Sequence, residues 1–172
     1  MLIVGRGKKV RIDCLEAQNI LDRNLEVTTL DIQKKCKPDI CCDFLEYLEK
    51  TEEKDKYDII VIDIFTFSKM HGIDDYMDKI YNLLKPNGRF IFEHSYIICG
   101  VNEQKEIYRL TYINLQIDYF LKIDREVLKI DHIRYIRKLA NQYGFNFEYH
   151  LDESYPIFQN NYKTNYFELT KI

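Results

Sequence analysis

An α/β fold built on a mostly parallel sheet is what this chain predicts, and three observations predict it. Short β-branched apolar runs alternate with helical patterns from Met1 to Phe92. Within that stretch, residues from Tyr57 to Phe92 read strand, helix, Pro-Asn-Gly turn, strand, which is a parallel crossover unit. The last two apolar runs alternate with polar residues around a Pro156 and Asn160-Asn161 turn region, so they read as an antiparallel, hairpin-like pair.

Met1 to Val4 is a short apolar strand running into Gly5-Arg6-Gly7. Ile12, Leu15, Ile20 and Leu21 recur at helical spacing and predict a helix from about Val10 to Leu21. Leu25 to Leu30 is a second strand, ended by Asp31. Ile40 to Cys42 is a third, entered through a Lys-Pro-Asp turn and closed by Asp43. A helix follows from Phe44 to Lys54, then a fourth strand between Asp58 and Asp63. The next helix stops at Lys85-Pro86-Asn87-Gly88, and Arg89 to Phe92 is the fifth strand. Asn102 to Lys122 holds no Gly or Pro. Arg125 to Tyr143 is helical and ends at Gly144, and Phe145–Leu151 and Tyr166–Ile172 are the sixth and seventh strands. The β-α alternation places helices on the faces of the sheet.

In such a sheet, ligands sit at the carboxyl ends of the strands, where the strand order reverses. Gly5 and Gly7 stand at the first such end, Asp31 with Ile32 at the second, Asp43 with Phe44 at the third, and Asp63 at the fourth. Glycine there lets the backbone approach a ligand closely, and a strand-end acid can accept a pair of hydroxyls.

The passage YDIIVIDIFTFSKMHGIDDYMDKIYNLLKPNGRFIFEH, together with TLDIQKKCKPDICCDF, resembles the class I S-adenosylmethionine (SAM) dependent methyltransferases over nearly the whole chain. The resemblance implies one domain over residues 1–172. Its sheet would be doubly wound, mostly parallel and seven-stranded, with helices on both faces and the last strand antiparallel. It also implies SAM as cofactor. Gly5, Arg6 and Gly7 would lie against its methionine and ribose, Asp31 would bind the ribose hydroxyls beside Ile32, Asp43 and Phe44 would meet adenine, and Asp63 would close the site. Members of the family commonly carry an acid two residues before the first glycine and a further glycine two residues after the second; this chain has Ile3 and Lys9. That departure motivates a different class of function, a non-catalytic methyltransferase-like binding or scaffold subunit. A dinucleotide enzyme needs G-x-G-x-x-G, and Val10 stands at the third glycine, so NAD fits less well than SAM.

Methyl transfer needs a positioned acceptor and, for some acceptors, a base. Asp63, after the fourth strand, and His94, after the fifth, are the candidates, with Glu93 competing with His94. The prolines of exocyclic-amine methylases are missing from Asp63-Ile64-Phe65-Thr66, so the acceptor stays open among small molecule, protein and nucleic acid.

A net charge of −3 excludes neither a local nucleic-acid patch nor an ordinary enzyme, but it excludes a strongly basic domain. Lys34, Lys35 and Lys37 form one basic cluster and Arg134, Arg137 and Lys138 a second, on a helix that also needs a solvated face. Arg6, Lys8 and Lys9 form a basic loop with phosphate-binding chemistry as its alternative use. Five irregularly spaced cysteines, Cys14, Cys36, Cys41, Cys42 and Cys99, read as reduced structural thiols rather than as a metal set. No apolar run approaches the roughly 20 residues of a membrane span. The expectation is a cytoplasmic protein with no membrane contact. The chain begins on its first strand, and the uncovered surface this leaves invites a protein partner or a second copy.

Overall fold

The computed structural model describes residues 1–5, 25–62, 73–93, 125–153 and 164–172. Its six-stranded sheet runs in the order β2-β1-β3-β4-β6-β5, with β1 at Leu2–Val4, β2 at Thr28–Leu30, β3 at Tyr57–Ile62, β4 at Leu84–Glu93, β5 at Phe145–Glu153 and β6 at Thr164–Lys171. β2, β1, β3 and β4 are parallel neighbours, while β6 lies antiparallel between β4 and β5. From β1 the chain goes outward to β2, then crosses to β3 on the other side, which places the reversal between β1 and β3. One row of partners crosses the sheet: Leu30, Val4, Ile62, Phe92 and Phe167.

Side-chain alternation sorts each strand onto two dry faces. Leu2, Val4, Ile60, Ile62, Phe90 and Phe92 meet three helices in one core cluster. These are α1 (Phe44–Lys50), α2 (Met77–Leu83) and α3 (Arg125–Gln142). Phe90, Phe92, Phe167 and Tyr149 stack along that face with centroids 4.9, 5.2 and 5.0 Å apart. On the other face Met1, Ile3, Ile59, Val61, Ile91 and Tyr166 form a second buried cluster. The three described helices therefore share one face. The helix expected over Val10 to Leu21 and the segment from Asn102 to Lys122 lie outside the described residues.

The strand expected from Ile40 to Cys42 corrects to a single parallel bridge between Ile40 and Leu30, so six strands replace the predicted seven among the described residues. The cause is local. Ile40 donates to the Thr29 carbonyl and accepts from Asp31, at 2.9 and 3.1 Å, but Asp43 already turns the chain into α1. Asp39 makes the rest of the edge with its side chain, as its carboxylate accepts both the Thr29 N–H and hydroxyl, at 2.8 and 2.6 Å.

Two boundaries shift for a similar reason. α1 ends at Lys50 rather than Lys54, because the amides of Asp55 and Lys56 donate instead to Asn82 and Leu83, the carbonyls α2 leaves over at its end. β4 starts at Leu84, directly after α2, and takes the Lys85–Gly88 turn into itself as an irregularity between Tyr57 and Ile59 in the β3 register. α3 stops as expected, with Gly144 in the left-handed region at φ 80°.

Candidate functional site

The carboxyl ends of β1, β2, β3 and β4 point to one edge, and Gly5, Asp31 and Glu93 stand there or one residue beyond. Gly5 is buried at φ 76°, a conformation that an L side chain resists, and its N–H donates to the Leu30 carbonyl at 2.8 Å. Gly5 is thereby pinned against the residue that precedes Asp31.

Asp31 is the buried acid of this edge, with 7% of its surface exposed. Its Oδ1 accepts the Gln33 N–H at 2.7 Å, closing a tight turn that fixes the carboxylate. Ile32 stands out from the same turn with 66% of its surface exposed. An exposed apolar side chain beside a fixed, sheltered carboxylate suits a ligand that offers both a flat apolar face and hydroxyl donors.

Asp43 stands at the N-terminus of α1, where Oδ1 accepts from the amides of Leu45 and Glu46 at 2.8 and 3.4 Å. It is an exposed N-cap. Phe44 packs into the core with 3% exposed, alongside Leu48. Gly5, Asp31 and Ile32 are thus brought together, Asp43 stands at the start of the adjoining helix, and the Phe44 ring is committed to the interior. Arg6, Gly7, Asp63 and His94 lie outside the described residues; Asp63 follows Ile62 and His94 follows Glu93 in the chain.

Ile3, at the position where the resembled family commonly has an acid, is 3% exposed and packs with Val61 and Ile91. No carboxylate reaches the site from there. Around Cys36, Cys41 and Cys42 the thiols are free, the first buried, the second exposed, the third in between. Burial, then the Glu46 and Asp43 carboxylates, push the Cys42 thiol up from its ordinary value and keep it protonated. No three His, Cys, Asp or Glu side chains converge on a metal position among the described residues.

Sequence reasoning missed Thr29 and Gln33 as the residues that hold the Asp31 turn in place. Their partners are a carboxylate ten positions away and a neighbouring side chain, and no periodicity marks either. A cavity of about 310 Å³ opens at the opposite edge of the sheet, among Thr28, Tyr57, Asp58 and Lys85. Its Lys85 and Asp58 neutralise each other at 2.9 Å.

No family model matches the sequence, and no curated protein matches it. Solved structures do. A SAM-dependent methyltransferase from Archaeoglobus fulgidus superposes over 99% of this chain and 85% of its own, with 13% identity and a TM-score of 0.56. Phosphoethanolamine N-methyltransferase 2 of Haemonchus contortus, in complex with SAM, matches over 99% of this chain at 14% identity and TM-score 0.55. The DszA carbon methyltransferase does so at 16% and 0.55. This chain spans 48% and 46% of those last two proteins. The chain has the fold of the class I SAM-dependent methyltransferases.

Proposed function

We propose that this chain is a SAM-dependent methyltransferase in which residues 1–172 work as one domain. Gly5, Arg6, Gly7, Asp31, Ile32, Asp43 and Asp63 form the cofactor site in this reading, with Phe44 packed in the core beside Asp43 rather than against the adenine. The observation that carries it is the placement of Gly5 against the end of β2, with the buried Asp31 carboxylate beside it, one strand from the reversal of strand order between β1 and β3.

The residues present fit the cofactor. A carboxylate has about four lone-pair sites, so Asp31 can hold the Gln33 amide and still accept ribose hydroxyls. Its burial strengthens those charge-assisted bonds. Ile32 offers the adenine an apolar face, and the glycine turn lets the methionine end lie close to the backbone. When bound, SAM supplies an activated methyl group on a sulfonium that leaves readily. The chain's task is to orient the acceptor over the ends of β3 and β4 and to take its proton where needed. Asp63 and His94 are the residues we assign to that task.

The acceptor is not assigned by the fold. The matched structures include an N-methyltransferase and a carbon methyltransferase, so the same architecture serves different acceptors. The free thiols of Cys36, Cys41 and Cys42 support a reducing, cytoplasmic setting, and no described helix is long and apolar enough to cross a membrane.

Calorimetric titration with SAM, S-adenosylhomocysteine and NAD tests the reading. Saturable binding of the SAM pair and not NAD is expected. Binding of NAD alone would replace the cofactor. Binding of none would favour a methyltransferase-like scaffold subunit, the second reading, which the burial of apolar Ile3 in place of the family's acid supports.

A further inference from the structure

We infer that two copies of this chain associate through the outer edge of β5, pairing β5 with β5 about a two-fold axis at Phe147. That edge lies at the far end of the strand order from β2 and Asp31, and nothing in it depends on the cofactor reading.

The chain treats the two edges of its sheet differently. β2 is three residues long, and the chain closes its outer side. Asp39 Oδ2 accepts the Thr29 N–H at 2.8 Å, the Ile40 N–H donates to the Thr29 carbonyl at 2.9 Å, and the Ile40 carbonyl accepts the Asp31 N–H at 3.1 Å. β5 has nine residues and runs about 30 Å at ~3.4 Å per residue. β6 takes one side of it. Among the described residues no backbone group pairs with the other side between Phe145 and Glu148. A row of unpaired N–H and C=O groups is a template for another strand, and solitary edges are guarded by shortness, proline or lysine. Phe145–Glu153 reads FNFEYHLDE, with neither proline nor lysine. Phe147 and Tyr149 pack against the core cluster that holds Ile136 and Leu139 of α3, yet each keeps part of its surface exposed at this edge.

The strand's own pattern selects a second copy as the occupant and sets the register. β5 pairs regularly with β6 from Phe145 to His150, and a bulge follows before Glu153. Directly opposite residues share a face, so the axis must fall on a residue if the aromatic side is to stay continuous. An axis at Glu148 sets two carboxylates against each other, which is unfavourable. One at Tyr149 runs the pairing into the bulge, and one at Asn146 shortens the ladder. An axis at Phe147 avoids all three. Phe147 then opposes its counterpart, Phe145 opposes Tyr149, and Asn146 opposes Glu148 on both sides of the axis. Asn146 and Glu148 are exposed, and the Asn146 amide is a donor for the carboxylate across from it. The aromatic pairs fall together on the face that carries Phe167 and α3, where cross-strand aromatic pairs stabilise a sheet.

The test is sedimentation velocity over a range of protein concentrations, comparing wild type with Asn146→Glu and Asn146→Lys, with circular dichroism as the check on folding. Wild type is expected to pass from monomer to dimer as concentration rises. Asn146→Glu places a second carboxylate opposite Glu148 twice per dimer and should weaken association at least roughly threefold. Asn146→Lys places an ammonium there and should tighten it. Opposite responses at one exposed position are not what a general loss of folding produces. Phe147→Cys gives the register: oxidised with copper-phenanthroline, it should form a disulfide-linked dimer in excess of wild type, whose native thiols are the control, because opposed Cβ atoms lie about 4.5–5.5 Å apart. Three outcomes would overturn the inference: a monomer at every concentration, a dimer indifferent to both Asn146 changes, or no Phe147→Cys cross-link above the wild-type level in a folded protein.

Discussion

Thr29 and Asp39, ten residues apart, are joined by three hydrogen bonds: the Thr29 N–H and hydroxyl both donate to Asp39 Oδ2, and the Asp39 N–H donates back to Thr29 Oγ at 3.0 Å. Thr29 is 3% exposed, so its amide has no water to fall back on. Asp39→Ala would leave a buried donor unsatisfied and is expected to cost about 1–3 kcal/mol, with Asp39→Asn milder because it keeps an acceptor. Urea unfolding of the two variants checks this; equal, negligible losses would mean that the Ile40 bridge alone holds the edge.

That pair also shows where the sequence stops being legible. The parallel order β1 to β4 could be read from Met1–Val4, Tyr57–Ile62 and Arg89–Phe92, because apolar runs between turn residues report local conformation directly. Asp31 and Gly5 could be placed at strand ends for the same reason. The third strand could not be seen as a single bridge, since a side chain replaces backbone pairing there and its partner is ten residues away. Nor could the end of α1, because the amides beyond it are claimed by the carbonyls of Asn82 and Leu83. The helix expected from Phe44 to Lys54 therefore stops at Lys50, where tertiary bonding overrides local propensity. In the candidate site, the core position of Phe44 was hidden too: next to a capping acid, the same residue suits a ligand face or a buried first turn equally well.

Gly88 and Gly144 should respond differently to a methyl group. A Cβ on Gly88 would sit 2.8 Å from the Lys85 carbonyl oxygen and 3.1 Å from that of Tyr57, both backbone atoms that cannot swing away. At Gly144 the nearest atom is 3.7 Å off and the difficulty is conformational, at φ 80°. Gly144→Ala is expected to cost about 1–2 kcal/mol, the left-handed penalty, and Gly88→Ala more, because the β3–β4 irregularity must move. Thermal or urea midpoints in the reverse order would mean that the turn at Lys85–Gly88 yields easily.

Alkaline pH should destabilise the fold partly through Tyr47. Burial, then the Tyr57 hydroxyl at 3.2 Å and the Glu53 carboxylate, raise the Tyr47 phenol well above its ordinary value. A raised folded-state value means that the stabilisation is complete below the unfolded value, near pH 10, and is lost as pH rises from there toward the folded value. Lys50 and Lys56, also raised, add to the same decline: the hydrogen bond that Lys50 donates to the Glu46 carboxylate raises Lys50, and for Lys56 desolvation is outweighed by its hydrogen bonds with Glu53 and Tyr57. Tyr47→Phe should be less stable at neutral pH, by about 1 kcal/mol for the lost hydrogen bonds, yet lose less stability between neutral pH and pH values above about 10. Urea midpoints across that range would show it, and parallel pH profiles would remove Tyr47 from the account.

Asp31→Asn separates the carboxylate's binding role from its role in the fold. The amide oxygen of Asn can still accept the Gln33 N–H, so the turn after β2 and the pinning of Gly5 to Leu30 are expected to survive, with a stability change under about 1 kcal/mol. What is lost is the negative charge that would accept both ribose hydroxyls. S-adenosylhomocysteine affinity should therefore fall by at least roughly 1 kcal/mol in Asp31→Asn, and further in Asp31→Ala, where the turn also loses its acceptor. Calorimetry and urea unfolding on the same preparations give the two quantities side by side. Unchanged affinity in a folded Asp31→Asn would take the ribose away from Asp31, and a collapse of stability would make the carboxylate a structural group whose burial serves the sheet edge rather than a ligand.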